Sequence, residues 1–151
     1  MKNEIDNKGI HFSFVEGAIA SIEVTNQLNE FNSFYNVGAY SIFLGQVRKD
    51  IINDELVESI EYTANVEMAT AQFYLICEEA KKLHAIEKVT ILHSLGAVKA
   101  GELCLVVIVS CGHRKESFVA CEYIVERLKK EVPIWGKEIF ENKSHQWKVN
   151  K

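Results

Sequence analysis

The stretch LCLVVIVSCG at residues 103–112 constrains the fold more than any other part of this chain. It is a continuous apolar run dominated by valine and isoleucine, whose β-branched side chains favour extended backbone. It lacks the polar alternation of a strand with one wet face, so it predicts a central strand covered on both faces. A helix is predicted over NVEMATAQFYLICEEAKKLHAI (65–86), where Ala69, Phe73, Ile76, Ala80 and Leu83 recur at spacings of three and four and Asn65 can cap the start. A second helix is expected at roughly 117–131, after the central run.

The remaining segments read mostly as strands. GIHFSFVEG (9–17) suits a short strand, VGAYSIFLGQVRKD (37–50) a strong one, and ELVESIEYT (55–63) a half-exposed one that alternates Leu56, Ile60 and Tyr62 against acids. The Asn-Asp pair of IIND suits a turn between the last two. SIEVTNQLNEF (21–31) can form a helix with Ser21 as its cap. EKVTILHSLGAVKAGE (87–102) predicts a strand and then a loop through Gly96 and Gly101, and the tail SHQWKVN a last short strand. Repeats, low-complexity segments and linkers are absent from the sequence, so 151 residues predict a single α+β domain.

Several function classes fall away at this stage. Apolar runs stay well short of the ~20 residues of a membrane span. The segment MKNEIDNKGI is polar, unlike the apolar core of a signal peptide, so cytoplasmic residence is expected. Cys77, Cys104, Cys111 and Cys121 lie in apolar stretches without CxxC spacing, which predicts buried thiols rather than disulfides or a zinc site. The five histidines are scattered, so no metal centre is expected. A net charge of −4 argues against general nucleic-acid affinity. Positive charge nevertheless gathers at segment ends: RKD at 48–50, HRK at 113–115, KK at 129–130 and Lys137. Composition leaves two readings open, ordinary solvated termini or a basic pocket for a small anion such as a phosphate ester.

Helix geometry separates the lysines. At about 100° per residue, Phe118, Cys121, Val125, Leu128 and Val132 share one arc, and Lys129 projects about 20° from Phe118 and about 40° from Val125. Lys129 is therefore the lysine expected to be partly desolvated and suited to proton transfer, while Lys130 faces water. Snorkelling of the Lys129 stem along the core edge is the competing reading, and helix geometry alone favours it. His113 and Arg114 follow a buried strand and precede a helix, a position suited to holding an anion, and Arg48 ends another strong strand.

Six blocks in order, GAYSIFLGQVR, IEY…EMA, ILHSLGAVKAGE, VSCGHRKESFVAC, LKKEVPIWGKE and HQW, resemble the family of large, catalytic subunits of molybdopterin synthase over about residues 37–147. The resemblance implies an α/β hammerhead fold with an additional antiparallel sheet, dimerising through this subunit. It implies a small ubiquitin-like sulfur-carrier partner on each protomer, giving a heterotetramer. The carrier's C-terminal Gly-Gly thiocarboxylate would pass two sulfurs to cyclic pyranopterin monophosphate, making the dithiolene of molybdopterin. The chain's own end, WKVNK, lacks Gly-Gly and so reads as the acceptor side. No metal or organic cofactor is implied for this step.

By the same resemblance Lys129 is the principal catalytic lysine, Arg48 belongs to the GxVR block, and His113 and Arg114 help bind substrate from the neighbouring protomer. Phe43 and Met68 also match family positions, with a core role equally open. The family's second catalytic lysine directly follows the tryptophan, where this chain has Gly136; Lys137 comes one residue later and is the candidate to replace it. Ser94 stands where an arginine is common, and Thr63 and Asn65 replace an acid and an aromatic. These departures keep two alternatives open: a non-catalytic homologue that binds a pterin phosphate or a carrier protein, and an anion-sensing regulatory domain.

Overall fold

The protein is described here by a computed structural model covering residues 4, 5 and 9–150. The polar segment read against a signal peptide lies mostly outside the described residues. Among the described residues thirteen elements follow one another as β1 (Glu4–Ile5), β2 (Ile10–Glu16), α1 (Ser21–Asn29), a 3-10 turn (Glu30–Ser33), β3 (Ala39–Gln46), β4 (Ile51–Ile52), β5 (Glu55–Ala64), α2 (Val66–Leu83), β6 (Ile86–Lys99), β7 (Leu103–Cys111), α3 (Arg114–Glu131), β8 (Ile134–Phe140) and β9 (His145–Trp147).

The apolar run is indeed central. β7 pairs antiparallel with β3 on one edge and β6 on the other. Its odd-numbered residues, Leu105, Val107 and Val109, enter the main core, while Val106 and Ile108 enter a second cluster with Ile19, Phe31 and Leu92. The main core lies under α2 and α3. From α2 it takes Ala69, Phe73, Ile76, Cys77 and Ala80, with Phe73 stacked on Phe12 at 3.8 Å between ring centroids. The Asn65 side chain caps α2, accepting from the Met68 N–H at 3.1 Å. Arg127 ties the two helices, donating to Glu79 on α2 and, at 2.6 and 2.7 Å, to both carboxylate oxygens of Glu131.

β6 joins two layers. Its first part runs parallel to β2 and antiparallel to β7; from Gly96 to Lys99 it pairs instead with β5, which continues through β8 to β9 as an antiparallel sheet. This is the expected α+β plan with its additional antiparallel sheet.

Four local expectations need correction. Gly96 is part of β6 rather than a loop: it takes φ +76°, and a Cβ there would meet the Glu16 carboxylate, so glycine allows the strand to bend and carry on. α3 begins at Arg114, three residues early, because the chain turns directly out of β7 at Gly112. Ser21 is the first residue of α1 and Ala20 occupies the cap. Leu83 and Phe118, both assigned to buried stripes, are exposed, Leu83 because α2 ends there and Phe118 because it overhangs the outer strand β3. The Asn-Asp turn holds: Asn53 and Asp54 both take positive φ between paired Ile52 and Glu55, as a two-residue hairpin requires.

Candidate functional site

A cavity of about 390 Å³ opens where the two layers meet, within the range of small-ligand pockets. Its walls come from the end of β3 and the chain after it (Phe43, Gln46, Arg48), from β5 (Ile60, Tyr62) and from the end of α3 (Leu128, Lys129). The segment Val132 to Trp135 forms one side, as an apolar wall. Each wall follows from local sequence. Leucine and valine anchor the last turn of α3, so Lys129 is carried to the rim while Pro133 ends the helix and turns the chain into β8.

Lys129 is exposed, so the expected partial desolvation is not met within one protomer. Its Nζ lies 5.3 Å from the Phe43 ring centroid, a cation–π contact that aims the amine along the cavity mouth. The Asn150 side chain donates to the Lys129 carbonyl at 3.1 Å, covering one of the free carbonyls at the helix end. Arg48 also lines the cavity, with its side chain 76% exposed and a 3.0 Å ion pair to Asp50. Phe43 lies half-buried between core and cavity, whereas Met68 is exposed in the first turn of α2, which removes its core reading.

The other candidates stand elsewhere. Lys137 does not line the cavity. Along β8, Gly136 and Glu138 face inward and Lys137 points to the opposite side, 3.7 Å from Glu61 on β5. The glycine therefore does not bring Lys137 inward, because the strand keeps its two-residue alternation through Gly136. His113 caps α3 and Arg114 opens it; both are exposed, and about 22 Å of helix axis separates Arg114 from Lys129. Ser94 is buried next to cavity-lining His93, so it faces the core and not the cavity. Thr63 is exposed on β5 opposite Trp135.

Among the lining residues that sequence reasoning missed, Tyr62, His93, Cys104, Glu138 and Lys148 carry polar groups that matter here. Burial pushes the His93 imidazole down to about 4, so it is neutral near pH 7. Its Nδ1 lies 2.8 Å from the Ser94 carbonyl and can only donate there, which leaves Nε2 as an acceptor. Burial, reinforced by neighbouring Cys104, raises the Tyr62 hydroxyl far above its usual range, so Tyr62 acts as a hydrogen-bond donor. That hydroxyl donates to the Cys104 sulfur at 3.4 Å, and burial likewise keeps Cys104 a thiol. Glu138 is 5% exposed and accepts from Gln146 at 2.7 Å. A histidine in HSLG or a lysine in the tail gives no local sign of lining a cavity; only the meeting of β5, β6 and β8 gives it that place. Among the described residues no group of His, Cys, Asp and Glu could hold a metal ion, and no helix is long and apolar enough to cross a membrane.

The cavity thus offers ammonium and guanidinium groups at its mouth, an imidazole and a hydroxyl oxygen as neutral acceptors inside, and apolar walls. It can hold a small anion and move a proton near it.

Comparison with known proteins gives a consistent picture. The family described as MoaE protein matches residues 19–131. The molybdopterin synthase catalytic subunit of Dictyostelium discoideum is 34% identical over 138 residues, 85% of this chain and 87% of that protein. The Bos taurus protein of the same description is 36% identical over 114 residues, 76% of this chain but 60% of its own length. The crystal structure of molybdopterin synthase from Staphylococcus aureus superposes with a TM-score of 0.80 at 31% identity, covering 92% of this chain and 97% of that one. A complex of the two subunits of molybdopterin-converting factor from Helicobacter pylori shares the fold, with a TM-score of 0.77 at 22% identity.

Proposed function

Because the chain belongs to the MoaE family, we propose that it catalyses the sulfur-transfer step that makes molybdopterin. In this reading it is the catalytic subunit of a sulfurtransferase. In two rounds it takes one sulfur from the thiocarboxylated C-terminus of a small carrier protein, leaving a carboxylate there each time, and adds it to cyclic pyranopterin monophosphate. Residues 1–151 act as one domain of the family. One observation carries the reading: Lys129, singled out both by helix geometry and by the family pattern, stands at the mouth of the cavity, with Arg48 lining the same cavity.

The roles follow from position. Arg48 and Lys129 hold the phosphate and offset charge that develops as its ring opens. Lys129 also moves protons to and from the pterin, a task for an amine at the rim with solvent as its reservoir. His93 Nε2 and the oxygen of the Tyr62 hydroxyl, whose proton goes to Cys104, accept within the cavity, orienting the pterin ring. Val132, Ile134 and Trp135 give it an apolar wall.

The site is incomplete within one protomer, and β3 suggests how it is completed. One edge of β3 is paired with β7 and its other edge is unpaired among the described residues; Tyr40, Ile42 and Leu44 are exposed on one face of that strand, and Phe118 of α3 is exposed over the other. A two-fold pairing of this strand with its copy is antiparallel, so the start of one β3 meets the end of the other. His113 and Arg114 sit at the start: Gly38 donates to the Cys111 carbonyl at 3.0 Å, and Ala39 pairs with Cys111. The cavity sits at the end. The dimer thereby carries His113 and Arg114 of the partner subunit toward each cavity, and a carrier protein on each protomer makes a heterotetramer. Four unbridged, buried thiols support a reducing compartment, the cytoplasm.

The test mixes the protein with thiocarboxylated carrier and cyclic pyranopterin monophosphate and follows the dithiolene product. Absence of product overturns the reading. Gly136 motivates one other outcome, a non-catalytic homologue, which appears as carrier binding without product.

A further inference from the structure

At Gly136 the cavity wall has no side chain of its own, and Ile60, Tyr62 and Lys148 crowd the space that one would take. β8 and β9 are in register as Lys137 with Trp147, Glu138 with Gln146 and Ile139 with His145. One step further the Lys148 N–H donates to the Gly136 carbonyl at 2.8 Å, so Lys148 lies directly across from Gly136. Directly opposed residues of an antiparallel pair project to the same face. A Cβ placed on Gly136 would lie 3.0 Å from Ile60, 3.4 Å from the Tyr62 ring and 3.7 Å from the Lys148 Cβ, all of them cavity residues. Any larger side chain at 136 would compete with Lys148 for this space.

We propose that Lys148 is a third cationic group of this cavity, beside Arg48 and Lys129, and contacts the anionic part of the substrate. The role named here rests on the reading of the cavity as a pterin-phosphate site. The placement of the amine is independent of it. Lys148 is partly enclosed, its side chain 31% exposed against 76% for Arg48. Its Nζ lies 3.7 Å from Oε1 of Glu138, whose other oxygen is held by Gln146. That carboxylate orients the ammonium without saturating it, since 3.7 Å is beyond a good hydrogen bond and three N–H donors remain for a ligand. The lining carries three cations, Arg48, Lys129 and Lys148, against two carboxylates, Asp50 and Glu138, in a chain whose net charge is −4. A lining with one positive charge in excess suits a single phosphate ester or carboxylate group.

Lys148→Met keeps the apolar stem and removes the charge. It is expected to lower kcat/KM for dithiolene formation by about 100-fold, the scale for one positioned donor, with thermal unfolding little changed. Lys148→Arg recovers most of the loss, and Gly136→Lys in the Lys148→Met background recovers part of it, because both return a cation to one place. Lys137→Met falls much less than Lys148→Met. A Lys148→Met enzyme within about threefold of wild type overturns the assignment, as does a larger loss from Lys137→Met. Titration with inorganic phosphate, followed on the NMR signals of ¹³C-dimethylated lysines, needs no turnover. The Lys129 and Lys148 signals are expected to shift together. If wild-type protein makes no product while both signals move, the functional reading falls and the Lys148 placement stands; a Lys148 signal that stays still overturns the placement.

Discussion

At its C-terminal end α3 delivers Lys129 to the mouth of a cavity; at its N-terminal end it leaves His113 and Arg114 exposed beside the start of β3. The two ends carry similar chemistry in opposite settings. Lys129 sits where the helix dipole favours a cation, exposed at the rim of an apolar-walled cavity. Arg114 sits at the positive end of the same dipole, a place that suits it only when an anion is near. A rigid helix cannot bring its own two ends together, so under the proposed function Lys129 and Arg114 act on one substrate only if two protomers bring them together.

The comparison breaks most sharply at the cavity end. Lys129→Ala is expected to reduce kcat by about 1,000-fold, within the range for a removed general acid–base, with dimer and melting temperature retained. Steady-state product formation checks it, and near-normal turnover moves the chemistry away from this lysine. Arg114→Ala should cost about 100-fold, as one lost anion contact. Mixing Lys129→Ala with Arg114→Ala subunits is the sharper experiment. If the two residues meet across the dimer, random exchange restores about a quarter of wild-type activity, because half of the dimers then hold one intact site of two. No recovery means that both act within one protomer.

Leu44→Lys tests the contact that the comparison requires. Leu44 is exposed on the free β3 edge, so the monomer should lose no more than about 0.5 kcal/mol of stability. Analytical ultracentrifugation is expected to show monomers, with activity lost alongside; a stable dimer would place the interface elsewhere. The smallest effect separates the two ends by pH. His93 lines the cavity with its folded-state pKa held near 4, below the 6.5 of an unfolded histidine. Between those values the unfolded chain binds more protons, so the His93 contribution is complete above pH 6.5 and is lost as pH falls toward 4. The slope from this group is at most about 1.4 kcal/mol per pH unit. Denaturant unfolding at several pH values measures it, and His93→Asn should flatten the curve.

What could be read in advance follows the range of each signal. The β7 run, the α2 stripe and the Asn53–Asp54 turn depend on neighbours a few residues away, and each was legible. Gly96 was misread because a glycine marks a local break, whereas pairing with β5 decides whether the strand continues. Phe118 lies on the apolar arc of α3 but overhangs β3, and no helical periodicity records where a sheet ends. Lys137 was the natural substitute for a lysine missing at Gly136, being next in sequence, yet a strand alternates sides. Lys148, distant in sequence, stands across from Gly136 instead.

The sequence by itself determined a buried strand, two amphipathic helices and an α+β plan, because hydrophobic periodicity is a local property; helix angle put Lys129 at the edge of an apolar arc, and the family resemblance made it the leading candidate. Only the tertiary structure decided which lysines share a cavity, that His93, Tyr62 and Glu138 line it, and that the two ends of α3 stand apart. Those facts depend on strand register and on the meeting of two sheets, which are set by contacts between residues far apart in the chain.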